Sequence, residues 1–208
     1  MHFLRANKKS LSLLLILPLI AFLFDNTLTV RLRELQHIAI LHSLDPLFHF
    51  ASHGLTLIVS ALILYLLGIH LRRRSLFETG KLLIISFISA GLTAQVLKHL
   101  LGRARPRVTG DILFIGPTLK GGYDSFPSGH TTVAFSFAYV LANLFPRYGV
   151  LFYAAAVLTG FERVVHSSHF FSDVCAGAVI GLFIGNAVVR FFGDGRSSKE
   201  LHSLRVIQ

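Results

Sequence analysis

Six apolar stretches constrain this chain more than any other feature. They cover residues 11–24, 47–71, 82–101, 131–145, 148–165 and 174–192. A helix that crosses a bilayer needs about 20 mostly apolar residues. The second, third, fifth and sixth stretches reach that length, and the first and fourth draw on flanking residues. Charged residues make up 14% of the chain and hydrophobic ones 53%. Soluble domains carry about 25% charged residues, so an ordinary cytosolic globule is excluded, and the apolar content excludes disorder. Cys175 is the only cysteine, which excludes a disulfide scaffold. The expected fold is all-α: a six-transmembrane-helix bundle forming one domain over 1–208, with a motif-bearing core at 82–192.

The first stretch follows Arg5, Lys8 and Lys9, as a signal peptide would. Leu23, Phe24, Asp25 and Asn26 offer no small-x-small cleavage site, so a retained anchor is expected. Residues 30–44 mix apolar positions with Arg31, Arg33, Glu34, His37 and His42. They read either as a helix along the membrane surface or as a plain loop.

The formal charge is +10. With a cytoplasmic N-terminus and six alternating spans, Arg5, Lys8, Lys9, Arg72, Arg73, Arg74, Lys81, Arg147, Arg190, Arg196, Lys199 and Arg205 fall on the cytoplasmic side. Only Glu78, Asp194 and Glu200 oppose them there, leaving net +9 inside and +1 outside. This satisfies the positive-inside rule and puts both termini in the cytoplasm. It also explains the charge without nucleic acid. Lys98, Arg103, Arg105, Arg107, Lys120 and Arg163 stay outside against the bias, and such charges call for a functional reason.

Three segments meet on that outer side: Lys98-x6-Arg105-Pro106, Pro127-Ser128-Gly129-His130, and Arg163-x5-His169-x3-Asp173. A phosphomonoester carries up to two negative charges, and phosphoryl transfer depends on positioning and charge stabilisation. Lys98, Arg105 and Arg163 supply cations; Arg grips phosphate bidentately and Lys acts as a point charge. Arg103, Arg107 and Lys120 are expected to be headgroup-facing snorkelling residues. Pro127 to His130 reads as a helix start, whose free N–H groups bind anions. Gly129 permits close backbone approach, and Ser128 caps the helix or donates to phosphate. His130 in that first turn is placed to protonate a leaving oxygen. His169 and Asp173 are four apart and share a face if helical. A carboxylate on one imidazole nitrogen leaves the other free to attack. His169 is therefore assigned as nucleophile, Asp173 as its orienting group, and His130 as general acid and then base. His166 is read as interfacial. The cations would repel a divalent ion, so no catalytic metal and no cofactor are expected.

Together these segments resemble the three signature motifs of the type 2 phosphatidic acid phosphatase superfamily. The first two match residue for residue; the third has Glu162 where the family usually has Ser. Glu162 is expected to temper the charge of Arg163, to pair with a base on a headgroup, or to point away. The resemblance covers 98–173 in motifs and implies metal-independent chemistry with the same roles for His169, His130 and Asp173.

Small residues recur every fourth position toward each motif: Ser86, Ala90, Ala94 to Lys98; His130 to Ala134, Ala138, Ala142; Ala155, Thr159 to Arg163; Asp173 to Gly177, Gly181, Gly185. Such rows let membrane helices approach closely. The four motif-bearing spans are expected to form a tight inner bundle with the first two peripheral. Cys175 reads as a buried small residue, and Phe191 and Phe192 as lipid-facing bulk.

The function expected is hydrolysis of a phosphate ester or anhydride on a membrane lipid at the outer face of the inner (plasma) membrane, through a phosphohistidine. Candidate substrates are lipid A 1-phosphate, undecaprenyl diphosphate, phosphatidylglycerophosphate and phosphatidic acid, with the 107–123 stretch shaping the headgroup pocket. The alternatives are a lipid-to-lipid phosphotransferase and a non-catalytic phospholipid-binding or transport protein. The expected partners are membrane lipids alone, with no obligate protein partner.

Overall fold

The structure is a computed structural model that describes residues 8–35, 54–109 and 113–193. Among these residues the regular structure is helical, with loops at 102–105 and 113–128 joined by one isolated bridge between Arg103 and Phe114. α1 spans Lys8–Leu23, α2 Asp25–Glu34, α3 Gly54–His70, α4 Arg74–Leu101, α5 Pro106–Thr109, α6 Gly129–Leu144, α7 Gly149–Val165 and α8 Phe171–Phe192. Three helical segments, Arg74–Leu101, Pro146–Val165 and Phe171–Phe192, are long and apolar enough to cross a membrane. Leu15–Leu23 with Asp25–Glu34 makes a fourth if the 74° bend between them lies within one span. The outward faces carry Leu62, Leu66, Leu92, Val96, Leu151 and Val157 in the open, as lipid-facing helices do.

The first apolar stretch is α1, and the chain turns sharply after it. Residues 30–34 belong to α2, while positions 36–44 of the anticipated surface segment lie outside the described residues, as do 47–53 at the start of the second stretch and the C-terminal tail.

The inner bundle follows small residues. A Cβ on Gly177 would sit 2.7 Å from the Ser128 carbonyl oxygen, one on Gly181 2.4 Å from that of Thr132, and one on Gly185 2.7 Å from Tyr139 Cβ. α8 therefore lies backbone to backbone on α6. Ser86, Ala90 and Ala94 are buried on α4, and the Ser86 and Ser136 hydroxyls meet at 2.5 Å between α4 and α6. The apolar core joins Leu82, Leu83, Ala90, Val133, Phe137, Val140 and Val188 with Ala61 from α3. α3 packs along α4, and α1 along α8.

Two of the expected rows need correction. On α7, Ala155 is exposed, and the inward residues are Ala156 and Gly160; a Cβ on Gly160 would meet Val174 Cγ1 at 2.6 Å. On α6, the surface against the glycines is Ser128, Thr132, Ser136 and Tyr139, while Ala142 faces Gly149 on α7. Hydroxyls bonded within their own turn can line a close helix contact as alanine does: Thr132 Oγ1 donates to the Ser128 carbonyl at 2.8 Å. A pattern of small side chains alone does not reveal this.

Candidate active site

The three motifs converge where α4 and α7 end and α6 and α8 begin. α4 stops at Gly102, whose left-handed φ of 58° lets its N–H bond the Lys98 carbonyl at 2.9 Å, a conformation that favours glycine. The chain then folds back on itself. The Arg105 amide donates to the Gly122 carbonyl at 2.9 Å and the Ser125 amide to the Arg103 carbonyl at 3.0 Å. The Ser128 amide reaches the Asp173 carbonyl at 3.0 Å, tying the second motif to the third.

Lys98, in the last turn of α4, is buried, and its Nζ donates to the Asp124 backbone carbonyl. Its Cε lies 3.6 Å from where a Gly129 Cβ would stand, so Gly129 abuts the lysine stem. Arg105 forks onto Asp124, Nε to Oδ1 at 2.9 Å and Nη2 to Oδ2 at 2.6 Å. These bonds hold the Asp124 carboxyl down to about 2. Ser128 is buried; its side chain makes no capping bond and instead accepts from the Thr131 hydroxyl at 2.9 Å. His130 occupies the first turn of α6, half-buried.

After α7 the chain wraps around the Arg163 carbonyl, which accepts the Ser168 and His169 amides at 3.1 and 3.2 Å. His169 is 2% exposed. Its Nδ1 faces Asp173 Oδ2 at 3.6 Å, longer than a hydrogen bond, which leaves Nε2 as the distal nitrogen. Burial pushes the imidazole down to about 4, against the opposing pull of Asp173. The ring is thus neutral at ordinary pH, the form a nucleophile requires. Glu162 lies along the buried Arg163, its two carboxylate oxygens accepting Nε and Nη2. Of the three readings open for Glu162, tempering Arg163 is the one this contact fits. His166 is partly exposed, 3.9 Å from Glu162.

One assignment is overturned. Arg103 is no snorkelling residue: it is completely buried. Its Nη1 donates to Asp173 Oδ1 at 2.5 Å and to Ser172 Oγ at 2.7 Å, and its Nη2 to Asp25 Oδ2 at 2.6 Å. Asp173 Oδ2 accepts the Ser125 hydroxyl at 2.6 Å and the Phe170 amide at 2.8 Å. Ser125, Ser172 and Asp25 carry no sequence motif that points to this site. The available signal was Asp25 itself, a carboxylate directly behind an apolar stretch that a buried cation would satisfy.

The family model described as PAP2 superfamily matches residues 79–197, and the chain belongs to that superfamily. It is 41% identical over 105 residues to the lipid A 1-phosphatase of Rhizobium etli, covering 49% of this chain and 45% of that protein. It is 26% identical over 180 residues to the lipid A 4'-phosphatase of Porphyromonas gingivalis, covering 83% and 75% respectively. The chain thus spans less than half the length of the lipid A 1-phosphatases it matches. Among solved structures its fold resembles the crystal structure of Aquifex aeolicus LpxE, with a TM-score of 0.64 at 24% identity over 81% of this chain and 96% of that one.

Proposed function

We propose that this protein hydrolyses a phosphate ester or anhydride on a membrane lipid without a metal ion, through a phosphohistidine. The observation that carries the reading is the neutral, buried His169 with Asp173 behind its Nδ1 and Lys98 and Arg105 close enough to affect its charge. His169 Nε2 attacks phosphorus as the bond to the leaving oxygen breaks, and His130 gives that oxygen its proton. His130 then takes a proton from water, whose oxygen displaces Nε2 and releases inorganic phosphate. Lys98, Arg105, Arg163, the Ser128 hydroxyl and the Gly129 amide hold the phosphate oxygens, and charge stabilised on preorganised donors away from water lowers the barrier.

The proposed topology has six spans, cytoplasmic termini and the site on the periplasmic side of the inner membrane, following the distribution of Lys and Arg. The substrate proposed is the 1-phosphate of lipid A, ahead of undecaprenyl diphosphate, on the strength of the likeness to the R. etli lipid A 1-phosphatase. The test is phosphate release by the purified protein against a panel of these lipids with phosphatidylglycerophosphate and phosphatidic acid. His169→Ala should abolish release, and exhaustive chelation should leave it intact. Release that survives His169→Ala would refute the mechanism.

A further inference from the structure

The buried Arg103 links the predicted nucleophile's partner to a residue far upstream. Asp25 stands at the bend between α1 and α2, outside the segment that matches the family model. Its Oδ1 accepts the Ser172 amide at 2.7 Å, and its Oδ2 accepts the Ser172 hydroxyl at 2.5 Å as well as Arg103 Nη2. The guanidinium is enclosed by the rings of Phe170, Phe114 and Phe22, with its carbon 4.3, 5.1 and 5.3 Å from their centroids. Water is kept from the group, so its charges act at low dielectric.

Charge counting gives this arrangement a meaning. One guanidinium between two carboxylates leaves the trio with a net charge of −1. With Arg103 and Asp173 alone, the pair would be neutral, and the field Asp173 exerts on His169 would be largely cancelled. The imidazole becomes cationic as Nε2 bonds to phosphorus while Nδ1 keeps its proton, and Lys98 and Arg105 oppose a cation there. A residual negative charge behind Nδ1 is what that step requires.

We propose that Asp25 is a positioning residue for phosphoryl transfer: by drawing the charge of Arg103 away from Asp173, it leaves Asp173 a net negative charge to present to His169. The proposal rests on His169 being the nucleophile. It places the electrostatic control of the site at the start of α2, with Arg103 as the relay and Ser172 fixing the first turn of α8.

The test compares Asp25→Asn with the double variant Asp25→Asn/Arg103→Met, using phosphate release from lipid and labelling of the protein by radioactive phosphate from the same substrate. Only monodisperse protein in detergent is counted. Asp25→Asn keeps the shape but lets Arg103 neutralise Asp173. Its kcat should fall ten- to a hundred-fold with KM within about two-fold, and its phosphoenzyme should form correspondingly slowly. Removing the cation as well restores net −1 at Asp173, so the double variant should recover to within about ten-fold of wild type. A purely structural contact would make the double variant no better than the single. The proposal is overturned if Asp25→Asn retains wild-type kcat, or if the folded double variant is as inactive as His169→Ala. If Asp25→Asn does not fold, the double variant decides alone, and if neither folds, Asp25 is architectural and the proposal fails. Absence of phosphate release by the wild-type protein would refute the phosphatase reading itself, a result distinct from all of these.

Discussion

Arg105 holds Asp124 through two parallel hydrogen bonds, Nε to Oδ1 at 2.9 Å and Nη2 to Oδ2 at 2.6 Å. A carboxylate in a guanidinium fork uses the same donors that would grip two phosphate oxygens. Asp124 therefore competes with phosphate for Arg105, and its charge also repels the ligand. Asp124→Asn is expected to strengthen inhibition by inorganic phosphate about five-fold, or about 1 kcal/mol, the upper range for a partly exposed pair. Inhibition constants from initial rates check this; an unchanged or weaker constant would show that Asp124 orients Arg105 rather than competing for it.

The approach of α8 to α6 predicts a sharp contrast between two glycines. A Cβ on Gly181 would lie 2.4 Å from the Thr132 carbonyl oxygen, and backbone cannot move aside as a side chain can. Gly181→Ala should cost about 1–3 kcal/mol by overpacking and lower activity by shifting Ser128 and Asp173 apart. Gly91, in α4, has nothing within 4 Å of its would-be Cβ. Gly91→Ala should leave activity unchanged and gain about 0.5–1 kcal/mol from helix propensity. Thermal melts in one detergent compare the pair directly, and equal melting temperatures would contradict the packing account.

The parts of this architecture that the sequence makes legible are those whose chemistry is local. Lys98, Arg105, Ser128, His169 and Asp173 sit at fixed spacings within three short segments, and the glycine row of α8 repeats every fourth residue. Arg103 could not be told from Arg107 in the same way, because both are bases beside Arg105 and only the fold-back of the chain buries one of them. The partner of Arg103 lies at Asp25, and no periodicity connects positions so far apart. Ala155 faces outward, which the sequence hides for a related reason: a one-residue rotation of the small-residue row, to Ala156 and Gly160, is invisible where alanines run consecutively from 154 to 156.

The burial of His169 makes folding stability depend on pH. In the unfolded chain the imidazole titrates near 6.5, and in the fold it is held to about 4. Between those values the unfolded state binds the proton and the folded state does not, so stability is full above about 6.5 and is lost as pH falls toward 4. The loss attributable to this ring is on the order of 3 kcal/mol. Wild-type protein should therefore lose melting temperature between pH 6.5 and 4 more steeply than His169→Asn. Parallel curves for the two proteins would show that His169 is protonated in the fold.

Glu162 sits where the family usually has serine, and both its oxygens accept from Arg163, Nε and Nη2. The pair is buried, so the carboxylate offsets a cation that would otherwise bear fully on phosphate. Because the contact is with Arg163, its effect should fall on the phosphoryl group common to all candidate substrates. Glu162→Ser is accordingly expected to lower KM several-fold for every lipid in the panel, with the order of preference among them unchanged. Product inhibition by inorganic phosphate should tighten in parallel, and kcat should fall if phosphate departure becomes limiting. Initial-rate kinetics on two lipids with different headgroups suffice. A change confined to one lipid would mean that Glu162 contacts the headgroup, and the tempering of Arg163 would then be secondary.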